Sequence, residues 1–105
     1  MAIKGFYFDG LNTNNRYIQC FRDLAENTFI FTVRWCEYCN CAFLSITDDD
    51  DNDIISGVAL VNGLKIRNNK LPYVLYFLHV NEETYEPTID NIADEFVIMY
   101  DDGEE

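Results

Sequence analysis

The sequence has little of what most catalytic sites need. It contains one histidine, five glycines and two prolines among 105 residues, and it has no glycine-rich loop of the kind that cradles phosphate groups. His79 lies in an apolar segment, and no Ser–His–Asp or Cys–His arrangement can be argued from the order of residues. Acidic residues are spread so evenly that no pair stands out as acid and base. We therefore predict that the protein is not an enzyme and has neither catalytic residues nor a cofactor.

The sequence also lacks any long apolar run. No segment approaches the roughly 20 apolar residues of a membrane helix, so we expect no membrane partner. The first ten residues, MAIKGFYFDG, do not follow the pattern of a secretory signal, which favours synthesis in a reducing cytoplasm. With 49% hydrophobic residues, the composition argues against disorder and favours a single domain over residues 1–105.

Positive charge is scarce. Seven Lys and Arg residues face nineteen Asp and Glu residues, which gives a formal net charge of −12 at pH 7. Such a surface repels a phosphate backbone and anionic lipid, so we expect no direct contact with nucleic acid. Proteins with basic patches are the expected partners, because complementary fields accelerate and orient association.

What the sequence does contain is a series of short strand patterns. Residues 28–35 (TFIFTVRW) and 41–47 (CAFLSIT) alternate between apolar and polar positions, and the turn between them predicts a β-hairpin with Asn40 in a left-handed conformation. Further strands are predicted over residues 16–24, 53–61, 62–66, 73–80 and 95–100. Gly57 indicates a bulge or a close backbone approach, Asn62-Gly63 indicates a turn, and the strand at 73–80 is apolar enough to be central.

One helical signal accompanies these strands. Residues 87–95 (PTIDNIADE) offer Thr88 as an N-cap for one or two helical turns. The predicted fold is therefore all-β: a small single-domain β-barrel or β-sandwich with one short helical turn near the C-terminus. We expect its core within about residues 16–100, with the first residues and the acidic segment 101–105 as tails.

Three cysteines lie within six positions, in the segment RWCEYCNCAF (34–43). Cys36, Cys39 and Cys41 could bind zinc if Cys20 or His79 supplied a fourth ligand, but structural zinc sites usually draw two close pairs from separate turns. A redox role would normally place C-x-x-C at a helix N-terminus, and a Cys36–Cys41 disulfide would require oxidation. The favoured interpretation is a hairpin tip with incidental thiols and no metal.

The acidic run DDDDND (48–53) resembles a calcium-binding loop only superficially. An EF-hand loop needs glycine at position six and glutamate at position twelve, and neither register of this run supplies them. We interpret the run as a solvated, charged turn between two strands.

The order of these segments resembles the baseplate plug family of contractile-tailed bacteriophages, which is also found in cyanophage baseplates. The resemblance runs from about residue 16 to residue 100, through the segments FTVRW (31–35), FLSITDDDD (43–51), IISGVALVNGLKI (54–66), KLPYVLYFLHV (70–80) and EPTIDNIADEFVIMY (86–100). The chain departs from the family pattern in its cysteine-rich turn and in Ala42, where the pattern tends to carry a second tryptophan.

The resemblance implies a structural virion protein made in the host cytoplasm. It would be a plug-like component at the central hub of the tail baseplate, in contact with hub, tube or spike proteins, and present in multiple copies in a symmetric assembly. The candidate interface residues are Arg34, Trp35, Tyr38, Asp48, Asp49, Asp50 and Asp51. An acidic DNA mimic that inhibits a host DNA-binding protein is the alternative function, and a small zinc-binding module is a third.

Overall fold

Eight antiparallel strands form two sheets in the computed structural model, which describes the backbone of residues 3–101 and side chains from residue 4 onward. The strands are β1 (Ile3–Phe6), β2 (Tyr17–Leu24), β3 (Asn27–Cys36), β4 (Cys41–Asp48), β5 (Asp53–Leu60), β6 (Leu64–Ile66), β7 (Leu75–His79) and β8 (Phe96–Asp101). The first sheet has the order β1-β8-β7-β6 and the second has the order β2-β3-β4-β5. The all-β prediction is confirmed. Two separate sheets, and no closed barrel, are what these residues form.

The predicted hairpin is the centre of the second sheet. Strands β3 and β4 pair in antiparallel register, with Phe31 opposite Ile46 and Cys36 opposite Cys41. Residues 37–40 close the hairpin, and Asn40 adopts a φ of 53°, which asparagine tolerates better than most side chains. Because side chains alternate along a strand, every second residue of β3 is buried and the others face outward.

The hydrophobic core lies between the two sheets. It takes buried side chains from both: Phe6, Ile66, Leu75, Phe77, Phe96 and Ile98 from the first sheet, and Ile18, Leu24, Phe29, Phe31, Val33, Trp35, Ala42, Leu44, Ile46 and Leu60 from the second. The rings of Phe6 and Phe31 meet edge to face with centroids 5.1 Å apart, so they join the first sheet directly to the second. The strand at 73–80 is central as predicted, because β7 lies between β6 and β8.

The predicted glycine bulge and the predicted Asn-Gly turn lie in the edge strand β5 and directly after it. Gly57 has a φ of 63°, and the pairing of β4 with β5 changes register beside it, so the predicted bulge is confirmed. The predicted turn at Asn62-Gly63 is also present: the Leu64 N–H donates to the Val61 carbonyl at 3.0 Å. This turn carries the chain from the second sheet into the first.

The predicted helical turn near the C-terminus is wrong. Residues 89–95 form successive turns, with the Ile92 N–H bonded to the Thr88 carbonyl and the Glu95 N–H bonded to the Asn91 carbonyl, each at 2.9 Å. These two bonds are not consecutive, so no helical ladder is built. Thr88 does not start a helix; its N–H donates to Oδ1 of Asn91 at 2.7 Å.

The N-terminal residues form part of the fold, which corrects the expectation of a tail there. Strand β1 pairs with β8 along its whole length, and Phe6, Phe8 and Leu11 join the core. At the other end, Asp101 closes β8, and the rest of the predicted acidic tail lies outside the described residues. Within residues 3–101, no helix is long and apolar enough to cross a membrane.

Candidate functional site

The exposed face of the second sheet is rich in aromatic side chains. We call this surface the outer face and define it by Tyr17, Phe21, Ile30, Arg34 and Phe43, which point away from the core on β2, β3 and β4. Tyr17 is 54% exposed and Phe21 is 61% exposed, values that are high for aromatic residues in strands. Arg34 is also exposed, and Ile30 and Phe43 are half-buried.

Side chains on the outer face are arranged in rows across the strands. Tyr17 lies opposite Arg34, and Arg34 lies opposite Phe43, so an arginine is flanked by two aromatic residues. Four residues further along β2, beyond the Gln19–Thr32 pair, Phe21 lies opposite Ile30 and forms a second apolar row. Directly opposite residues are close enough for their side chains to touch, so each row is a continuous strip.

Beside the row of Tyr17, Arg34 and Phe43 the outer face has a shallow depression. It has a volume of about 420 Å³ and is lined by Tyr17, Thr32, Arg34, Phe43, Ser45 and Gly57. Two small lining residues are joined directly, because the Gly57 N–H donates to Ser45 Oγ at 3.0 Å. Aromatic and arginine side chains around a shallow depression are the composition that protein interfaces favour.

The two ends of this sheet carry different charge. At one end the β2–β3 and β4–β5 turns bring Asp23, Glu26 and the acidic turn together; we use "acidic turn" for Asp48, Asp49, Asp50 and Asp51. At the other end the guanidinium of Arg16 forms an ion pair with Glu37, and Arg34 lies on the adjacent face. The outer face therefore runs from an acidic end to an end that carries arginines.

The acidic turn is organised by its own backbone. Asp48 Oδ1 accepts hydrogen bonds from the N–H groups of Asp50 and Asn52, each at 2.9 Å. The backbone and side-chain bonds from Asn52 lower the pKa of Asp48 most, and Lys70 adds a smaller attraction. Carboxylate oxygens of Asp48, Asp49 and Asp50 lie within 4.8 Å of one another, as expected for a charged, exposed turn. The prediction of a solvated turn between two strands agrees with this arrangement.

The predicted interface residues do not all lie on the surface. Arg34, Tyr38, Asp49, Asp50 and Asp51 are exposed and Asp48 is half-buried, and a role for them in binding remains a prediction. Trp35 is only 6% exposed, because it follows Arg34 by one position and so points into the core.

Two interface candidates, Tyr17 and Phe21, were missed by the sequence reasoning. Their signal was present: they occupy the outward positions of a strand whose alternate residues, such as Ile18, are buried.

The three cysteines of the hairpin lie together, and Cys20 does not join them. Cys36 and Cys41 are opposite each other at the end of the hairpin, and Cys39 is in the turn between them. Cys20 lies opposite Phe31, five positions from Cys36 and therefore roughly 16 Å along the strand. His79 is on β7 in the other sheet. Neither suggested fourth zinc ligand lies at the hairpin tip.

The single histidine has a structural environment. His79 is 1% exposed; its Nε2 lies 2.7 Å from the Tyr85 hydroxyl and 3.1 Å from Glu95 Oε1, and its Nδ1 accepts the Asn81 N–H at 2.9 Å. The hydrogen bond to Glu95 raises the pKa of Tyr85 to about 12 and favours the neutral phenol. These contacts fasten the 81–95 segment to β7, away from the outer face.

Comparison with known families identifies the chain. The family model described as "Cyanophage baseplate Pam3 plug gp18" matches residues 10–104. The chain belongs to this cyanophage baseplate plug family. No curated protein sequence matches the chain. Membership places this plug protein in the tail baseplate of the phage virion, so the predicted family and location are confirmed.

Membership also gives the plug protein a coarse role. The family is structural, and a plug within a baseplate contacts other baseplate components. The match extends six residues before residue 16 and four beyond residue 100, so it includes Leu11 and covers the outer face and the acidic turn. Both surfaces are therefore part of the family's shared region.

Proposed function

We propose that this plug protein acts at the central hub of the baseplate by protein–protein contact alone, through its outer face and acidic turn. The observation that carries the proposal is the strip of Tyr17, Arg34 and Phe43 on the outer face, where Tyr17 and Arg34 are exposed to solvent. The proposal assigns no turnover and no cofactor to the chain.

The exposed aromatic side chains of the outer face support the proposal, because a partner could bury them. Burying an aromatic side chain that is more than half exposed, such as Tyr17 or Phe21, gains roughly 1–2 kcal/mol. Tyrosine and arginine are also among the residues that contribute most to interfaces. The arginine between two aromatics adds a donor that fixes orientation.

The net charge of the plug protein indicates the charge that its partner should carry. With a net charge of −12, the plug protein repels another acidic surface and attracts a basic one. Asp49, Asp50 and Asp51 are exposed at the end of the sheet nearer the Phe21–Ile30 row, so a partner with a basic patch next to an apolar patch would match both. We assign this description to a hub, tube or spike protein, and expect several plug copies to bind symmetry-related sites.

Incorporation into tail particles tests the proposal. Phages that encode Arg34→Glu together with Phe21→Ser should yield tails in which mass spectrometry finds the plug strongly depleted relative to tube protein. Tyr76→Ser is the matched control, because Tyr76 is an exposed aromatic on β7 of the other sheet and should leave incorporation unchanged. Thermal unfolding of the purified variants checks that they fold. Normal incorporation of a folded double variant would contradict the outer face as the interface.

The acidic turn has a separate test. Asn in place of Asp49, Asp50 and Asp51 removes three charges without touching Asp48, whose carboxylate organises the turn. We expect slower binding to tail particles that lack the plug and a weaker dependence on salt. The control removes three charges elsewhere, by Glu82→Gln, Glu83→Gln and Asp90→Asn. Equal effects of both triple variants would show that only net charge matters.

A further inference from the structure

The tip of the β3–β4 hairpin carries three cysteines, of which Cys39 is exposed and Cys36 and Cys41 are half-buried. Cys36 ends β3 and Cys41 begins β4 directly opposite, and Cys39 lies in the four-residue turn between them. Interactions with the thiols of Cys36 and Cys41, that of Cys36 first, raise the pKa of the Cys39 thiol. Cys39 and Tyr38 are exposed, so the cluster is open to solvent and to small reagents.

The backbone of the turn distinguishes the three thiols chemically. Interaction with the backbone N–H groups of the turn, that of Cys39 first and that of Tyr38 after it, lowers the pKa of the Cys36 thiol. The thiol of Cys36 in turn raises the pKa of Cys39. Cys36 is therefore the first of the pair to become a thiolate, and Cys39 keeps its proton.

The C-x-x-C segment does not lie at a helix N-terminus, which argued against a redox role, but the turn can stabilise a thiolate in another way. In C-x-x-C sites at a helix N-terminus, backbone N–H groups stabilise the thiolate of the first cysteine. Here the C-x-x-C segment is a hairpin turn, and its N–H groups supply the same donors without a helix. A nucleophilic thiolate with a second thiol in contact is the minimal dithiol site.

We propose that Cys36 and Cys39 form a reactive dithiol that a low-molecular-weight disulfide oxidises to an intramolecular disulfide across the hairpin tip. The Cys36 thiolate attacks one sulfur of the small disulfide, forms a mixed disulfide and releases one small thiolate. The Cys39 thiol gives its proton to that thiolate, and its sulfur attacks the Cys36 sulfur and releases a second small thiolate. Two protein thiols are oxidised, and the small disulfide is reduced to two thiols.

Cys20 provides an internal reference for this reactivity. It lies on the inward side of β2 and is half-buried, and burial is the main cause that raises the pKa of its thiol. Burial also restricts access of a reagent. Closure of the disulfide at the tip, in contrast, displaces no core side chain, since residues 37–40 are all exposed.

Oxidised glutathione is the probe for the test. The reduced full-length chain is incubated with it in the presence of a chelator, remaining thiols are alkylated, and peptides are mapped by mass spectrometry. We expect a Cys36–Cys39 disulfide, with Cys36 reacting at least about tenfold faster than Cys20. Cys39→Ser should accumulate glutathione on Cys36, Cys36→Ser should react slowly, and Cys20→Ser should form the disulfide at the wild-type rate.

Several results would overturn the proposal. These are equal reactivity of all four cysteines, a disulfide that contains Cys41 in place of Cys36 or Cys39, or no mixed disulfide in a Cys39→Ser variant whose circular dichroism matches wild type. Stoichiometric zinc that binds the reduced chain without chelator and blocks oxidation would replace the dithiol with a metal site. Incorporation into tails does not enter these readouts, so this inference and the proposed function fail separately.

Discussion

Glu95 Oε1 lies 3.1 Å from Nε2 of His79, a side chain that is almost completely buried. Because Nδ1 of the same ring accepts the Asn81 N–H, the neutral ring carries its proton on Nε2 and donates it toward Glu95 or Tyr85. The Tyr85 hydroxyl also donates to Oε1 of Glu95. One ionised carboxylate oxygen therefore holds together β7, the 81–95 segment and the start of β8.

This relationship predicts a specific loss of stability in acid. The hydrogen bonds from Tyr85 and His79 lower the pKa of Glu95 below its ordinary value of 4.5. A carboxyl whose pKa is lower in the folded state stabilises the fold above the unfolded pKa and loses that contribution as pH falls through the folded pKa. Thermal unfolding measured from neutral pH to below 4.5 should therefore show a smaller decline for Glu95→Gln than for wild type.

The matched control for acid stability is Glu82→Gln, an exposed glutamate in the same segment. It should retain the wild-type decline. If Glu95→Gln and wild type lost stability in parallel below pH 4.5, the bonds to Glu95 would not account for the acid sensitivity.

Asn62 predicts a second, pH-independent effect. Its side-chain amide donates to the carbonyls of Glu83 at 2.6 Å and Tyr85 at 3.0 Å, and its Oδ1 accepts the His79 N–H at 3.3 Å. Each such bond contributes roughly 0.5–1.5 kcal/mol, so Asn62→Ala should lower the free energy of unfolding by about 2–4 kcal/mol. Denaturant unfolding measures the loss, and hydrogen exchange should show faster exchange in residues 81–95.

An exposed asparagine offers the comparison for that effect. Asn69→Ala should change stability by no more than about 0.5 kcal/mol. A similar loss of stability in both variants would mean that replacing any asparagine by alanine has this effect, and that the tethering of the 81–95 segment does not explain it.

Two phenylalanines test the assignment of the sheet faces. Phe31 on β3 is fully buried, and Phe21 on the adjacent strand β2 is 61% exposed on the outer face. Phe31→Ala should cost about 3–5 kcal/mol because it leaves a cavity between the sheets, whereas Phe21→Ala should change the free energy of unfolding by about 0.5 kcal/mol or less. Equal losses in denaturant unfolding would show that the outer face is not exposed in solution.

Strand alternation explains why much of this fold could be predicted from the sequence. The period of two in 28–47 identified the hairpin and the inward direction of Phe31, since one face of a strand must bury its apolar residues. The bulge at Gly57 and the turn at Asn62-Gly63 could be predicted for an equally local reason, because each depends on the backbone conformations that these residues adopt. The helical turn at 87–95 failed because capping residues alone cannot sustain so short a ladder.

The N-terminal strand shows the limit of local patterns. Residues 3–6 are too few to display a period, and they form β1 only because β8, more than ninety residues later, presents a free edge. The candidate interface was only partly predictable for a similar reason. Arg34 could be chosen from sequence, but its two aromatic neighbours come from different strands and are known only from the register.

The amino-acid sequence by itself determined the all-β class, the hairpin, the acidic character and the absence of a recognisable catalytic motif, because these depend on composition and on neighbours a few residues apart. Only the tertiary structure decided that the strands divide into two sheets, and that Tyr17, Arg34 and Phe43 form one strip. It also decided that the backbone of the turn lowers the pKa of the Cys36 thiol. The physical reason is that strand pairing joins residues distant in sequence, and no local pattern encodes which edges meet.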